Sequence, residues 1–296
     1  MQLLYCGSGW LEIVDWIAKR LPAHARITRW DRTRPLVEEV AEVEVLLPSA
    51  TPITREVIDA APRLRLIQQP AAGVEIVDHA AAAARGIPVC NAPGSGHAVT
   101  ELAIFLLLAL ARRLPVARQA FAERRIGTPL GRELADKTLG IIGMGRIGTG
   151  VAERARALGM AVIALERGGD RAAFFAGCDA VSIHCPLTPE TRGLVDAAAL
   201  AALRPGALVV NCARGGVIDR PALVAALASG HLGGVGLDVH WDEPADPADP
   251  LYADPRVVAL PHVGGSTEEA FARIAEVVGE NVRRLDSGEP LVHRVA

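Results

Sequence analysis

The residues best suited to chemistry lie in the second half of the 296-residue chain. Gly143, Gly145 and Gly148 follow the apolar run Thr138–Ile142 and open a stretch of helical periodicity, Ile147–Ala157. Each glycine answers a separate need of a dinucleotide cradle. Gly143 allows a tight turn, Gly145 lets backbone approach a pyrophosphate, and Gly148 lets helix and strand pack closely. A helix beginning there points N–H groups and a positive dipole end at the phosphates. Glu166 lies 23 positions after Gly143, at the end of the run Met160–Leu165. That is near the spacing expected of the acid that holds the ribose hydroxyls. A carboxylate repels a 2′-phosphate, so Glu166 favours NAD over NADP, although Arg167 beside it is of a type that can face such a phosphate.

Three further residues have the right chemistry for reducing a 2-oxoacid. Arg214 follows the apolar run Leu208–Asn211 and precedes Gly215-Gly216. Its charged planar fork suits a carboxylate and can polarise a ketone oxygen. His262, after Pro261, titrates near neutrality, as a group that protonates a developing alkoxide must. Glu243 could orient such a ring and favour its protonated form. By residue type alone, a histidine such as His262 is more often a capping or surface residue, and Glu243 an ordinary solvated acid in a Pro-rich loop. His184 and His240 read as structural.

These residues need elements to position them. Short apolar runs (Leu3–Cys6, Val43–Leu47, Leu64–Gln68, Val89–Asn91, Thr138–Ile142, Ala161–Leu165, Ala180–His184, Leu208–Asn211, Val235–Val239, Val257–Leu260) alternate with helical segments such as Leu11–Arg20, Arg55–Ala60 and Arg220–Ser229. Such alternation implies βαβ units and mostly parallel sheets covered on both faces. Thr54 or Thr51 is placed to cap one helix and Asp219 another, with Pro221 in its first turn and Gly230 as its left-handed end. A long helix is expected over 97–122, with Pro115 within it or splitting it.

Four ordered motifs give the chain a resemblance: Gly143-x-Gly145-x-x-Gly148, Asn211-Cys212-Ala213-Arg214-Gly215-Gly216, Gly236-Leu237-Asp238-Val239-His240-Trp241-Asp242-Glu243-Pro244, and Leu260-Pro261-His262-Val263-Gly264-Gly265-Ser266. In this order they resemble the D-isomer-specific 2-hydroxyacid dehydrogenases, which include phosphoglycerate dehydrogenase and the glyoxylate/hydroxypyruvate reductases. Upstream, 69–78 and Arg85–Gly94 fit the same pattern. The resemblance implies a catalytic set of Arg214, Glu243 and His262. It places Arg146 and Ile147 at the pyrophosphate through backbone N–H groups, and Asp238 at the nicotinamide end. It sets Cys185 and Cys212 along the cofactor groove, partly by backbone. Ala72 and Gly73 fall where backbone amides hold the substrate carboxylate. The chain also departs from the pattern. Only 13 positions separate Glu166 from Asp179, so the wall beside the adenine is shortened. Ala72 is not a lysine, which argues against the phosphonate dehydrogenase branch. The segment Arg124–Leu130 lacks the tryptophan often found there, and no regulatory domain is expected after Ala296.

The resemblance implies an α/β fold of two Rossmann-like or flavodoxin-like domains with parallel sheets. The nucleotide domain (97–267) is inserted in a substrate domain (1–96 and 268–296), with the substrate in the cleft between them. The implied function is hydride transfer between NAD(H) and C2 of a small D-2-hydroxy acid or 2-oxoacid, with Trp241 a candidate for shaping specificity. The alternative is an NADH-responsive binding protein of the corepressor kind on the same scaffold. Composition excludes a disordered chain. Half the residues are apolar but only 4% aromatic, so the core is built of Ala, Val, Leu and Ile. The longest apolar run, Leu102–Ala111, is far shorter than the ~18 residues a spanning helix needs. The N-terminus reads as a strand and not a signal peptide. Net charge is −3 with no basic run, which argues against a nucleic-acid surface. Five cysteines without a CxxC read as free thiols of a cytoplasmic protein, and no metal site is expected. A homodimer using the long apolar helix is expected.

Overall fold

The computed structural model describes residues 1–296 and divides into two compact units, Met1–Ser95 with Gly265–Ala296, and Gly96–Gly264. The first unit begins β1 (Gln2–Tyr5), α1 (Ile13–Ala18), β2 (Arg26–Arg29), α2 (Leu36–Glu39), β3 (Val45–Leu47), α3 (Arg55–Asp59), β4 (Leu66–Gln68), α4 (His79–Ala84) and β5 (Val89–Cys90). Its strands form one parallel sheet in the order β2-β1-β3-β4-β5. Alternate residues of β1 feed two cores, Leu4 on one face and Leu3 with Tyr5 on the other. This is the burial that a sheet covered on both sides requires. Thr54 caps α3 through the Val57 N–H, and Asp78 caps α4 through the Ala81 N–H.

The second unit contains α5 (Gly96–Ala111), α6 (Leu114–Ala122), β6 (Thr138–Ile142), α7 (Arg146–Ala157), β7 (Ala161–Leu165), α8 (Arg171–Ala176), β8 (Ala180–Ile183), α9 (Ala197–Ala202), β9 (Ala207–Asn211), α10 (Arg220–Ala228), β10 (Leu232–Leu237), α11 (Pro250–Ala253) and β11 (Val257–Ala259). Its parallel sheet runs β11-β10-β9-β8-β6-β7. The order reverses at β6, so the carboxyl ends of β6 and β8 flank the place where open α/β sheets bind ligands. Val209 and Val210, successive on β9, enter opposite cores. The helix expected over 97–122 is two helices. They break at Arg112-Arg113, where Arg113 takes a left-handed φ of 51°, and Pro115 falls in the first turn of α6. Proline costs no hydrogen bond there.

The chain then returns to the first unit with α12 (Glu268–Ser287). Thr267 caps it, Glu268 and Glu269 complement the dipole at its start, and Gly288 ends it at φ 73°. Its buried stripe of Phe271, Ile274, Ala275, Val278 and Val282 packs with Ile13, Val14 and Ile17 of α1. Asn281, within that stripe, donates to Gln68 Oε1 at 2.7 Å and accepts from the Val292 N–H at 2.8 Å. A buried amide is thereby satisfied at both ends.

Two expectations need correction. Strand β10 begins at Leu232 and ends at Leu237, where 235–239 was expected. Gly233 and Gly234 belong to the strand, because neighbouring backbone and α5 leave no room there for a side chain: an added Cβ would lie 2.3 Å from Gly206 O or 2.9 Å from Arg256 O. Strand β2, Arg-Ile-Thr-Arg, has no apolar run to announce it. It is an exposed edge strand, paired with β1 alone.

All five cysteines are free and buried, and burial pushes their thiols up. Just past β8, His184 Nε2 lies 2.7 Å from Ser182 Oγ, while Nδ1 is buried without a partner. Burial pushes the imidazole down to about 4 from an ordinary 6.5. The folded protein therefore keeps this ring neutral where the unfolded chain takes up a proton. Stability should fall as pH drops from about 6.5 toward 4, by roughly 2–3 kcal/mol from this group. Urea unfolding of His184→Gln at pH 7 and pH 4.5 should show a smaller acid loss than the wild type; equal losses would remove His184 as the cause.

Candidate active site

The glycine loop lies at the reversal point of the second unit's sheet. Gly143 leaves β6 at φ 98°, and a Cβ there would sit 2.6 Å from Cys185 N. A Cβ on Gly148 would lie 2.1 Å from Gly143 O. Both positions therefore exclude any side chain. At Gly145 the opposite holds: a Cβ would meet nothing within 4 Å. Gly145 is the N-cap of α7, and no side chain caps the helix. The space at Gly145, where α7 begins, is open, which fits a pyrophosphate at the helix N-terminus. Glu166 is exposed immediately beyond β7, the edge strand, and Gly168 turns the chain at φ 74° into α8. The Cys185 and Cys212 side chains point into the two cores of the unit, so only their backbone can face a cofactor.

The three candidate catalytic residues, Arg214, Glu243 and His262, follow β9, β10 and β11. Arg214 follows β9, where Asn211 shapes the turn: its amide donates to Arg214 O at 2.9 Å and its Oδ1 accepts from the Ala213 N–H at 3.0 Å. The Arg214 guanidinium donates to Ala213 O at 2.7 Å. His262 follows β11, and its Nδ1 lies 2.7 Å from Glu243 Oε2. A carboxylate only accepts, so Nδ1 bears the hydrogen and Nε2 is the atom left for proton exchange. Desolvation pushes the Glu243 carboxyl up, but the hydrogen bond and charge of His262 and the His240 N–H outweigh it, and the carboxyl is held below its ordinary value.

The histidine carries backbone strain. His262 has φ 55°, a conformation that costs a non-glycine residue about 1–3 kcal/mol. Asp238, at the end of β10, holds the next two residues: its Oδ1 accepts from Val263 N and its Oδ2 from Gly264 N, both at 2.8 Å. The structure thus shows Asp238 shaping the histidine loop. Burial raises its carboxyl above the ordinary value even against those two bonds.

Gly143, Gly145, Arg146, Ile147, Gly148, Glu166, Cys185, Arg214, Cys212, Asp238, Glu243 and His262 all belong to the second unit, and Ala72 and Gly73 to the first. There, the loop after β4 is held by Asn91, whose amide donates to Ala72 O at 2.8 Å, and by the Ala92 N–H on Ala71 O. Trp241, a candidate for specificity, is tied down: its indole N–H donates to Ile218 O at 2.8 Å and its ring packs on the unit's core. Sequence reasoning missed Asn211. The signal available was an Asn two residues before Ala213 at a strand end, a placement favouring a side-chain turn.

Residues 104–264 match the family model described as "D-isomer specific 2-hydroxyacid dehydrogenase, NAD binding domain". The chain is 41% identical over 282 residues to D-3-phosphoglycerate dehydrogenase of Mycobacterium bovis, covering 88% of this chain and 53% of that protein. It spans about half the length of the curated relatives it matches. A solved structure from Thermus thermophilus superposes with TM-score 0.89 at 36% identity over 100% of both chains. A glyoxylate reductase from Paecilomyes thermophila gives TM-score 0.84 at 29% identity, covering 100% of this chain and 98% of that one. The glycine cradle has a direct test in fluorescence titration with NADH. Gly145→Ala should weaken binding at least about tenfold, a loss of ~1.4 kcal/mol, with the melting temperature unchanged, whereas Gly148→Ala should lower both. Through its matched nucleotide domain and its full-length structural likeness, the chain belongs to the D-isomer-specific 2-hydroxyacid dehydrogenase family, with Gly96–Gly264 containing the NAD-binding domain.

Proposed function

We propose that the protein interconverts a small D-2-hydroxy acid and its 2-oxoacid with NAD(H). The observation that supports this best is the Glu243–His262 hydrogen bond at 2.7 Å, on the same sheet edge as a glycine cradle fitted to a dinucleotide. NAD(H) would supply or accept the hydride at substrate C2. Gly143, Gly145, Gly148, the first-turn N–H groups of Arg146 and Ile147, and Glu166 would hold it, with the backbone at Cys185 and Cys212 along its course.

Arg214 is proposed to bind the substrate carboxylate and polarise the ketone oxygen, since a guanidinium is charged at every working pH and offers paired donors. In the first unit, the backbone amides of Ala72 and Gly73 are proposed as substrate-binding groups. His262 delivers the proton from Nε2 as the alkoxide forms and takes it back in the reverse direction. Glu243 fixes the ring by Nδ1 and stabilises the imidazolium, as an orienting carboxylate does in other acid–base pairs. The corepressor-like alternative is not favoured: the named relatives are dehydrogenases and reductases.

The protein is further proposed to be a cytoplasmic homodimer. No helix is long and apolar enough to cross a membrane, and five buried free thiols suit a reducing compartment. Phe105 and Leu108 on α5, Phe121 on α6, and Ile126 and Leu130 beyond it are exposed, with Ile126 at 100%. Exposed large apolar side chains in such number mark an interaction surface. Light scattering should give twice the 31.1 kDa chain mass, and Phe121→Glu with Ile126→Glu should halve it.

Purified protein should oxidise NADH with glyoxylate, hydroxypyruvate or a similar 2-oxoacid. His262→Ala should lose at least about 100-fold in kcat while still binding NADH, the scale of a lost general acid. Full activity in that variant would remove His262 from the proton transfer.

A further inference from the structure

His240 lies between Asp238 and Glu243 and is buried at 8% exposure. Its ring makes two hydrogen bonds. Nε2 is 2.8 Å from Leu260 O, and a carbonyl only accepts, so Nε2 bears the hydrogen. In the neutral ring Nδ1 is then an acceptor, and the Tyr252 hydroxyl 2.8 Å away donates to it. The two rings also meet edge to face, with centroids 5.1 Å apart. Tyr252 is itself anchored. It sits on α11, which Asp249 caps, and Asp249 pairs with Arg220 of α10.

The backbone of His240 is engaged as well. Its N–H donates to Glu243 Oε1 at 3.0 Å, leaving Oε2 for His262. Gly215, the residue after Arg214, packs against the His240 peptide so closely that a Cβ there would lie 2.2 Å from His240 O. Leu260 O, the acceptor of the His240 ring, also accepts from the His262 N–H at 3.0 Å. That carbonyl therefore closes the turn in which His262 is held at φ 55°.

We propose that His240 is a positioning residue for the proton transfer: its ring holds the Leu260–His262 turn while its N–H holds Glu243, so one residue aligns both partners of the Glu243–His262 hydrogen bond. A phenylalanine would fill the same space but leave Leu260 O without this donor and Tyr252 without its acceptor. Asp238 restrains the histidine loop on the far side of His262, and His240 restrains it on the near side. With both in place, the strained turn is held from both sides. Leu260 O fixes which ring nitrogen bears the hydrogen, and the Tyr252 hydroxyl holds the other nitrogen and is thereby part of the device.

The proposal rests on the reading of His262 as the acid–base group, and the test separates the two. His240→Phe should lower kcat about 10- to 100-fold, the scale of a small misplacement of a reacting group, with KM for NADH within about twofold of wild type. His240→Gln, whose amide N–H reaches Leu260 O, should recover kcat to within about threefold, at a melting temperature no higher than that of the Phe variant. Tyr252→Phe, which removes one hydroxyl and tests the device even if His240→Phe fails to fold, should lower kcat severalfold. Equal impairment in the Phe and Gln variants, or wild-type kcat in His240→Phe or Tyr252→Phe, would overturn the proposal. Absence of turnover by the wild type with every 2-oxoacid would count against the function alone. The downfield proton resonance of the His262 Nδ1–H···Glu243 bond, read by NMR, would then decide the positioning: persistence in wild type and His240→Gln with loss in His240→Phe supports it, and persistence in all three overturns it.

Discussion

The edge of the second unit that carries Glu243 and His262 depends on a buried carboxylate accepting two backbone N–H groups. Asp238 is 1% exposed, and burial raises its carboxyl above the ordinary value, so placing it there is unfavourable in isolation. What compensates is its geometry, with one oxygen on Val263 N and the other on Gly264 N. The bonds tie the end of β10 to the segment after β11 and hold His262 in a left-handed conformation that it would not adopt alone. Glu243 then meets Nδ1, and the ring orientation follows. A histidine in a relaxed extended backbone at this position would direct its ring elsewhere.

The rest of the unit makes that edge rigid. Parallel strands buried on both faces leave their carboxyl ends in one row, and the turns that leave them are where chemistry can gather. Asn211 sets the turn after β9, Asp238 and His240 set the segment after β10, and Leu260 O closes the turn after β11. These restraints are hydrogen bonds between loops, and their energies are individually small. Together they remove alternatives, which is what an aligned acid–base pair requires.

The nucleotide side works by the opposite means, through what is missing. Gly143 and Gly148 lack side chains because backbone occupies the space, and Gly145 lacks one where the space is open. Only 13 positions join Glu166 to Asp179, room for the short helix α8 and no further strand, so β7 remains the edge of the sheet and Glu166 is exposed. The low aromatic content has the same origin. Close packing of helices on parallel strands favours Ala, Val, Leu and Ile, and each such side chain fully buried contributes about 1.5–3 kcal/mol for the larger ones.

Much of this was legible in the amino-acid order. Apolar runs marked ten of the eleven strands, and the glycine spacing with Glu166 marked the cradle, because periodicity and backbone sterics act within a few residues. Strand β2 escaped because Arg26 and Arg29 lie on an exposed edge, and the start of β10 because its glycines look like a loop. The roles of Arg214, Glu243 and His262 were suggested by residue type and family resemblance, but residue type could not separate them from a surface pair. Only the tertiary structure decided that Glu243 and His262, 19 positions apart, share a 2.7 Å hydrogen bond. It alone decided that Asp238 serves the histidine loop and that His240 joins Tyr252 to Leu260. Hydrogen-bond direction and tautomer depend on which groups meet across 12 to 26 positions of chain. No local pattern encodes that meeting; the packing of the strands brings it about.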